Sequence, residues 1–386
     1  MQSEHYDALI IGGGISGLSA AYHFSTECPS KTYKLIERRD NMGGTWDLFN
    51  YPGIRSDSDM YTFGYSFKPW ADKESIAKKE KILDYLKETA DEFDIRRHIR
   101  FDHKVQTASW DSAQSRWVLT STLSDGSTTA VSGDFLFMCG GYYSYDDPHR
   151  PAFPGESRYQ GQVLHPQFWP EDLDYEGKKV IVIGSGATAM TIVPSMTQKG
   201  AQVTMVQRSP TYVVSRPAED KIANTLRKWL PEKWAYAITR LKNTTLSGYF
   251  YRQTRSQPAK TKAQLLGMAT ANLGEEMVKA HFTPSYNPWD QRMCLIPDGD
   301  LYQSINEGSA QVVTGDIETW TEQGLVMKDG TEVTGDIIVT ATGITLTVMS
   351  GIAFDLDGTA INFPDTFTYK GMMYSGVPNM AHTFGY

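Results

Sequence analysis

The 386-residue chain carries 45 acidic and 37 basic side chains, a formal net charge of -8, with 40% hydrophobic and 21% charged residues. That length suits two domains with an ample buried core, and the composition is globular rather than disordered or fibrous. The acidic balance excludes nucleic acid as the expected partner, since phosphate binding wants a basic surface.

Three scattered cysteines, Cys28, Cys139 and Cys294, offer no CxxC pair for redox or zinc chemistry. They point to a reducing, cytoplasmic setting and to no metal site. The opening MQSEHYDALIIGGG passes from polar residues straight into a strand pattern. Neither an export leader nor a membrane span is expected from it.

The segment DALIIGGGISGLSAAYHF reads as a strand, a glycine turn and a helix opening near Ser16, followed by a second strand, YKLIER. Gly12, Gly14 and Gly17 form GxGxxG, and Glu37 ends the next strand. Glycines allow a tight turn and close approach of a pyrophosphate, the helix start offers N–H groups, and the acid accepts a ribose hydroxyl. A loop rich in Gly, Pro, Asp and aromatics follows, GGTWDLFNYPGIRSDSDMY, better suited to wrapping a cofactor than to a core. Next, KVQTASWDSAQSRWVLTSTLSDGSTTAVSGDFLFMCGG alternates around an Asp-Gly turn as a β-meander, its last run returning to the first sheet.

After the connector YQGQVLHPQFWP the same grammar returns at KKVIVIGSGATAMTIVPSM and AQVTMVQRS. Gly184, Gly186 and Ala189 give GxGxxA, but Gln207 stands where the acid was and Arg208 follows it. A guanidinium in place of a carboxylate suits a ribose 2′-phosphate, hence NADPH. Two unlike dinucleotide sites imply electron transfer between two cofactors, FAD in the first and NADPH in the second. A disulfide reductase would share the layout but needs a cysteine pair near the flavin, and Cys28 has no partner nearby.

The stretch from about Glu219 to Met277, in a helical insertion of the second module at about 217 to 290, is Lys/Arg-rich and helical in period; it reads as amphipathic surface helices, with a membrane-surface or partner helix as the alternative. The late stretch GLVMKDGTEVTGDIIVTATG repeats the meander-and-strand pattern and is expected to rejoin the first domain. The fold class is therefore α/β with two Rossmann-like dinucleotide-binding domains. A discontinuous FAD domain is expected at 1–145 and 330–386, and an NADPH domain at 146–329.

The pattern of Gly44, Trp46, Tyr51, Pro52, Gly53 and Asp57 resembles a signature of the Baeyer-Villiger monooxygenases, class B flavoproteins that insert oxygen beside a ketone carbonyl. In the connector, Gly161, His165, Trp169 and Pro170 resemble the family fingerprint FxGxxxHxxxW[P/D], with Tyr159 replacing the phenylalanine. Related nitrogen- and sulfur-oxidising flavin monooxygenases carry Tyr or Phe where Trp169 stands. HPQFWPEDLDYEGK, QRSPTYVVSRP, NPWDQRMCLIPDGDL, DIIVTATG and YKGMMYSGVPNMAHTFGY extend the resemblance over almost the whole chain, toward the bacterial ethionamide-activating subgroup.

The resemblance implies that NADPH reduces FAD and that O2 adds to it as a C4a-peroxyflavin. A ketone is then converted to an ester or lactone, or a sulfide or thioamide is oxidised. Arg292 matches the catalytic arginine, a fixed cation for an anionic oxidant, and Asp57 matches the carboxylate beside it. Ser16, Glu37, Thr45, Trp46, Asp47, Leu48, Asp57 and Val105 match FAD-contacting positions. Arg55, Ser56, Asp57, Gln207, Arg208 and the turn of Gly184, Ser185, Gly186, Ala187, Thr188, Ala189 and Met190 match NADP contacts, and His165 belongs to the segment that couples cofactor position to the cycle. Family members continue past AHTFGY, so a fragment or a short form is expected. The alternatives are a sulfur- or nitrogen-oxidising flavin monooxygenase, and a truncated nucleotide-binding protein or NADPH oxidase that makes hydrogen peroxide. Neither the substrate nor the oligomeric state is expressed in the sequence.

Overall fold

A computed structural model describes residues 4–384. Contacts divide the chain into two units, one of Met1–Leu48, Glu80–Asp147 and Ile344–Tyr386 and one of Phe49–Lys79 and Pro148–Gly343.

In the first unit the apolar run of the opening segment forms the strand Glu4–Ile11, whose last four residues are all buried. An uninterrupted buried run is what a parallel strand covered on both faces requires. The helix Ile15–Glu27 and the strand Tyr33–Ile36 complete a βαβ unit, with Ile10 opposite Leu35 in parallel register. The meander consists of Lys104–Asp111, Arg116–Thr122 and Thr128–Met138, paired antiparallel. Its last strand then lies parallel to the first, Ile10 opposite Phe137. Period-two alternation sends Trp117 and Leu119 inward to a core shared with Trp110, Leu136 and Phe354. Trp117 is fully buried, meets Trp110 and Phe354 edge-on, and donates its indole N–H toward the carbonyls of Pro378 and Asn379.

The second unit is organised on an all-parallel sheet in the order Ala310–Thr314, Gln202–Gln207, Lys179–Ile183, Ile337–Thr340, Gln162–Leu164. The helix Ala187–Thr197 crosses from the third of these to the second, and its residues Ala189 to Pro194 are all buried. Strands Tyr212–Arg216 and Met293–Pro297 pair side by side. Between them run the helices Lys221–Trp229, Glu232–Ser256, Pro258–Leu273 and Glu275–His281.

Two boundaries differ from the sequence expectation. The late strands Gly324–Met327, Glu332–Thr334 and Ile337–Thr340, expected to rejoin the first domain, remain in the second unit, where the first two pair antiparallel after Ile317–Trp320. The strand Ile337–Thr340 pairs with Lys179–Ile183, Ile338 opposite Ile181, as the first meander's return strand pairs with the first unit's opening strand. The chain rejoins the first unit only at Ile344. The fingerprint loop is also split, because residues from Phe49 pack on the second unit's helix: a Cβ on Gly53 would collide with Ser195.

Trp117→Ala removes the largest side chain of the first core together with its indole hydrogen bonds. It should lower stability by about 3–5 kcal/mol, read from the shift in the urea unfolding midpoint. A shift equivalent to less than about 1 kcal/mol would show that this core does not depend on the ring.

Candidate functional site

In the first unit, Gly12 has φ +102°, and a Cβ there would lie 2.5 Å from the carbonyl oxygen of Cys139 at the end of the return strand. Only glycine serves at such a position. A side chain on Gly17 would collide with the Gly12 carbonyl, so the helix sits directly on the turn. Gly14 caps the helix without a side-chain hydrogen bond, and no acid stands in the first turn, which holds Ser16.

Gly44, at φ +56°, approaches Gly14, with a Cβ there only 3.0 Å from its Cα. The short helix Thr45–Leu48 then places Thr45, Trp46, Asp47 and Leu48 next to the turn. Asp47 pairs with Arg39 at 2.8 Å. Val105 is buried in the core strand beside a register shift.

Glu37 is 4% exposed. Its carboxylate accepts the Gly13 N–H at 2.6 Å and the Arg39 N–H at 2.9 Å. Burial pushes its pKa up, against the pull of those two N–H groups and of Arg39 and Arg38. Each carboxylate oxygen retains acceptor capacity for a ribose hydroxyl. Gly13 and Arg39, whose N–H groups meet Glu37, were not singled out in the sequence, where nothing local marks a backbone N–H that is bonded within the protein.

The second unit repeats this construction. Gly184 has φ +140°, and a Cβ would strike the carbonyl of Ala341, again the end of a return strand. Gly186 caps the helix with no side-chain bond and no acid follows in the turn that holds Ala187, Thr188, Ala189 and Met190. A Cβ on Gly186 would strike Nη1 of Arg292, so this guanidinium lies against the glycine turn. Ser185 donates to the Ser209 carbonyl at 3.3 Å. A pyrophosphate fits both turns on the same observation: glycine backbones leave the space and no side chain caps either helix.

At the end of the second strand Gln207 is 1% exposed and donates to the His281 carbonyl at 2.7 Å and to Thr314 Oγ1 at 2.9 Å. Both of its amide protons are therefore engaged inside the protein. Arg208, the next residue, is exposed and makes no ion pair or side-chain hydrogen bond among the described residues.

Arg55 pairs with Asp300 at 2.5 Å, both side chains largely buried. Asp300, within the quoted LIPDGDL, was missed as a functional candidate, because nothing local marks which arginine it meets. Ser56 is buried and structural, its hydroxyl accepting the Ala77 N–H at 3.0 Å. Asp57 and Arg292 are both exposed, and no ion pair joins them among the described residues. Both act on Cys294, where burial pushes the thiol up to about 11, Arg292 pulls it down and Asp57 raises it.

His165 is buried, and its Nδ1 accepts the Gln167 N–H at 3.2 Å, capping the turn Pro166–Phe168. Burial lowers its pKa, and the backbone of His149 and Gly343, where the chain enters and leaves this unit, faces the ring. Tyr159 donates to the Gly335 carbonyl at 2.8 Å, while a side chain on Gly161 would collide with the Tyr159 hydroxyl. Trp169 packs against the core of the same unit. The connector thus ties the return strand to the entering and leaving segments.

A sequence model described as "FMO-like: Flavin-binding monooxygenase-like" matches residues 7–350. The FAD-containing monooxygenase EthA of Mycobacterium tuberculosis (strain CDC 1551 / Oshkosh) is 49% identical over 386 residues, all of this chain and 79% of that protein. The structure of an oxidized steroid monooxygenase bound to NADP is 28% identical with a TM-score of 0.74, covering 91% of this chain and 73% of that one. An open crystal structure of cyclohexanone monooxygenase shares the fold at 21% identity and a TM-score of 0.79, covering 99% and 83%. No helix among the described residues is long and apolar enough to cross a membrane.

Truncating one partner of a largely buried ion pair strands the other charge. Asp300→Ala should therefore destabilise the protein by roughly 2–3 kcal/mol in chemical unfolding, and Asp300→Asn by less. Equal stability of Asp300→Ala and the parent would mean that Arg55 is not held by this carboxylate.

Proposed function

The chain belongs to the flavin-binding monooxygenase-like family, and from that premise we propose that it is an FAD- and NADPH-dependent monooxygenase of the Baeyer-Villiger type. It inserts one oxygen atom of O2 beside the carbonyl of a small ketone, giving an ester or lactone, and oxidises sulfides and thioamides. The observation that carries this reading is the difference between two otherwise equivalent glycine turns. One ends in the buried carboxyl of Glu37 and the other in a buried amide, Gln207, followed by the exposed cation Arg208, which pairs with no side chain among the described residues.

FAD, when bound, supplies the redox and oxygen-activating chemistry, and NADPH supplies the hydride. In the first unit the backbone of Gly12, Gly14 and Gly17 admits the pyrophosphate, with Ser16 at the helix start and Glu37 accepting ribose hydroxyls. Gly44, Thr45, Trp46, Asp47 and Leu48 border that turn, and Val105 contributes backbone. In the second unit the turn from Gly184 to Met190 admits the other pyrophosphate, and Arg208 pairs with the 2′-phosphate. Arg55, Ser56 and Gln207 support that site, and His165 holds the segments next to it.

Arg292 supplies the cation that stabilises negative charge on the transferred oxygen, an interaction of greatest value where water is excluded. Asp57 is its carboxylate partner in the working state. The setting is the cytoplasm, and the substrate is a small molecule rather than nucleic acid.

Incubating the 386-residue chain with FAD, NADPH and air, plus a methyl ketone or an aryl sulfide, tests this reading. Ester or sulfoxide should match the NADPH consumed, and the relative rates on the two substrates separate ketone from sulfur preference. Hydrogen peroxide as the sole product would replace the reading with that of an NADPH oxidase.

Two substitutions refine it. Arg292→Ala should still bind both cofactors and lose oxygenated product by roughly 10²–10³-fold; normal ester formation would remove Arg292 from the mechanism. Arg208→Ala should lose roughly tenfold or more of the NADPH-over-NADH preference in kcat/KM, and unchanged selectivity would contradict its assignment.

A further inference from the structure

The helices between Lys221 and Leu273 concentrate positive charge in an acidic protein. From Lys221 to Lys262 there are ten Lys or Arg and one acid, Glu232, a local charge of +9 in a chain of net charge -8. Five of these cations, Lys221, Lys228, Lys233, Arg252 and Lys260, are exposed and enter no ion pair or side-chain hydrogen bond among the described residues. A solvated helix face would interleave both signs; this one does not.

The same helices leave large apolar side chains in the open. Trp229 is 81% exposed, Trp234 65% and Leu241 68%, and Ile222 and Ile238 are exposed as well. Ile222 and Trp229 stand seven residues apart on one helix, and Trp234, Ile238 and Leu241 follow the four-and-three spacing that aligns side chains on the next. Other positions turn inward: Ala223, Ala235 and Thr239 are buried, and Arg240 donates to the carbonyls of Tyr61 and Thr62. On each helix the exposed apolar positions thus lie on a different side from the inward-facing ones.

Basic residues flanking a row of Trp, Leu and Ile match the chemistry of an anionic bilayer surface. Lysines meet lipid phosphates, while indole rings settle at the boundary of headgroup and acyl chain. We propose that the face formed by Ile222, Trp229, Trp234, Ile238 and Leu241, with Lys221, Lys228 and Lys233, docks the protein peripherally on anionic membranes. The contact lies in the plane of the interface, since no described helix is long and apolar enough to span. Exposed apolar surface of this kind, with one sign of charge around it, commonly marks an interaction site. The inference stands independently of the catalytic reading.

The test is co-sedimentation of the FAD-supplemented 386-residue chain with vesicles of phosphatidylcholine alone or of phosphatidylcholine with phosphatidylglycerol, at low and high salt. Binding is expected to the anionic vesicles only, weakened by salt, with a blue shift in tryptophan emission. Trp229→Ser with Trp234→Ser, and separately Lys228→Glu with Lys233→Glu, should each lower vesicle affinity at least roughly tenfold. Unchanged circular dichroism and unchanged NADPH oxidation would verify the fold of both variants. No binding above the protein-free background, or equal binding to neutral and anionic vesicles, would overturn the proposal. So would a self-association in gel filtration that the tryptophan substitutions abolish, which would make the face an interface between copies.

Discussion

In each unit the carbonyl just after a return strand occupies the space where a side chain on the first turn glycine would have to be: Cys139 over Gly12, and Ala341 over Gly184. This close approach fixes the rest. It forces positive φ at the turn, sets the strand against the helix that follows, and leaves a helix start with no capping side chain. A turn closed by backbone on one side and open at the helix end is a receptor for an anion. The chain builds it twice, and the two copies differ most in charge, by what stands at the end of the next strand.

That difference is electrostatic. The buried carboxyl of Glu37 accepts two backbone N–H groups, which oppose the rise in pKa that burial imposes. It offers acceptors to hydroxyls and no cation to a phosphate. At the corresponding place in the second unit a neutral amide is consumed by internal bonds and the neighbouring guanidinium is exposed. In the proposed reading, specificity for an added phosphate rests on this exposed arginine, whose rotamer freedom would be lost only when the anion arrives. Arg292, against the same turn, adds a second cation beside the place where an anionic ligand belongs.

Much of this was legible because its causes are local. Glycine spacing, the acid at the strand end, and its replacement by Gln207 and Arg208 follow from what neighbouring residues can do. The allocation of late segments was not. FLFMCGG and IIVTATG are both buried return strands with near-identical patterning, and which sheet each joins depends on pairing across more than a hundred residues. The loop after Leu48 passes to the second unit because Gly53 fits against Ser195, a contact without sequence signature. Side-chain pairing was equally illegible: Asp57 and Arg292 share an influence on Cys294 and form no ion pair with each other among the described residues, while Asp300, unmarked in the sequence, secures Arg55.

The most direct measurement is anaerobic. The FAD-loaded chain is mixed with NADPH, and separately with NADH, in the absence of substrate, and the visible flavin absorbance is followed in a stopped-flow instrument. The account predicts one flavin per chain, bleached fully by a single equivalent of NADPH and much more slowly by NADH. A chain that retains no FAD, or one reduced equally fast by both nucleotides, would contradict the assignment of two unlike dinucleotide sites.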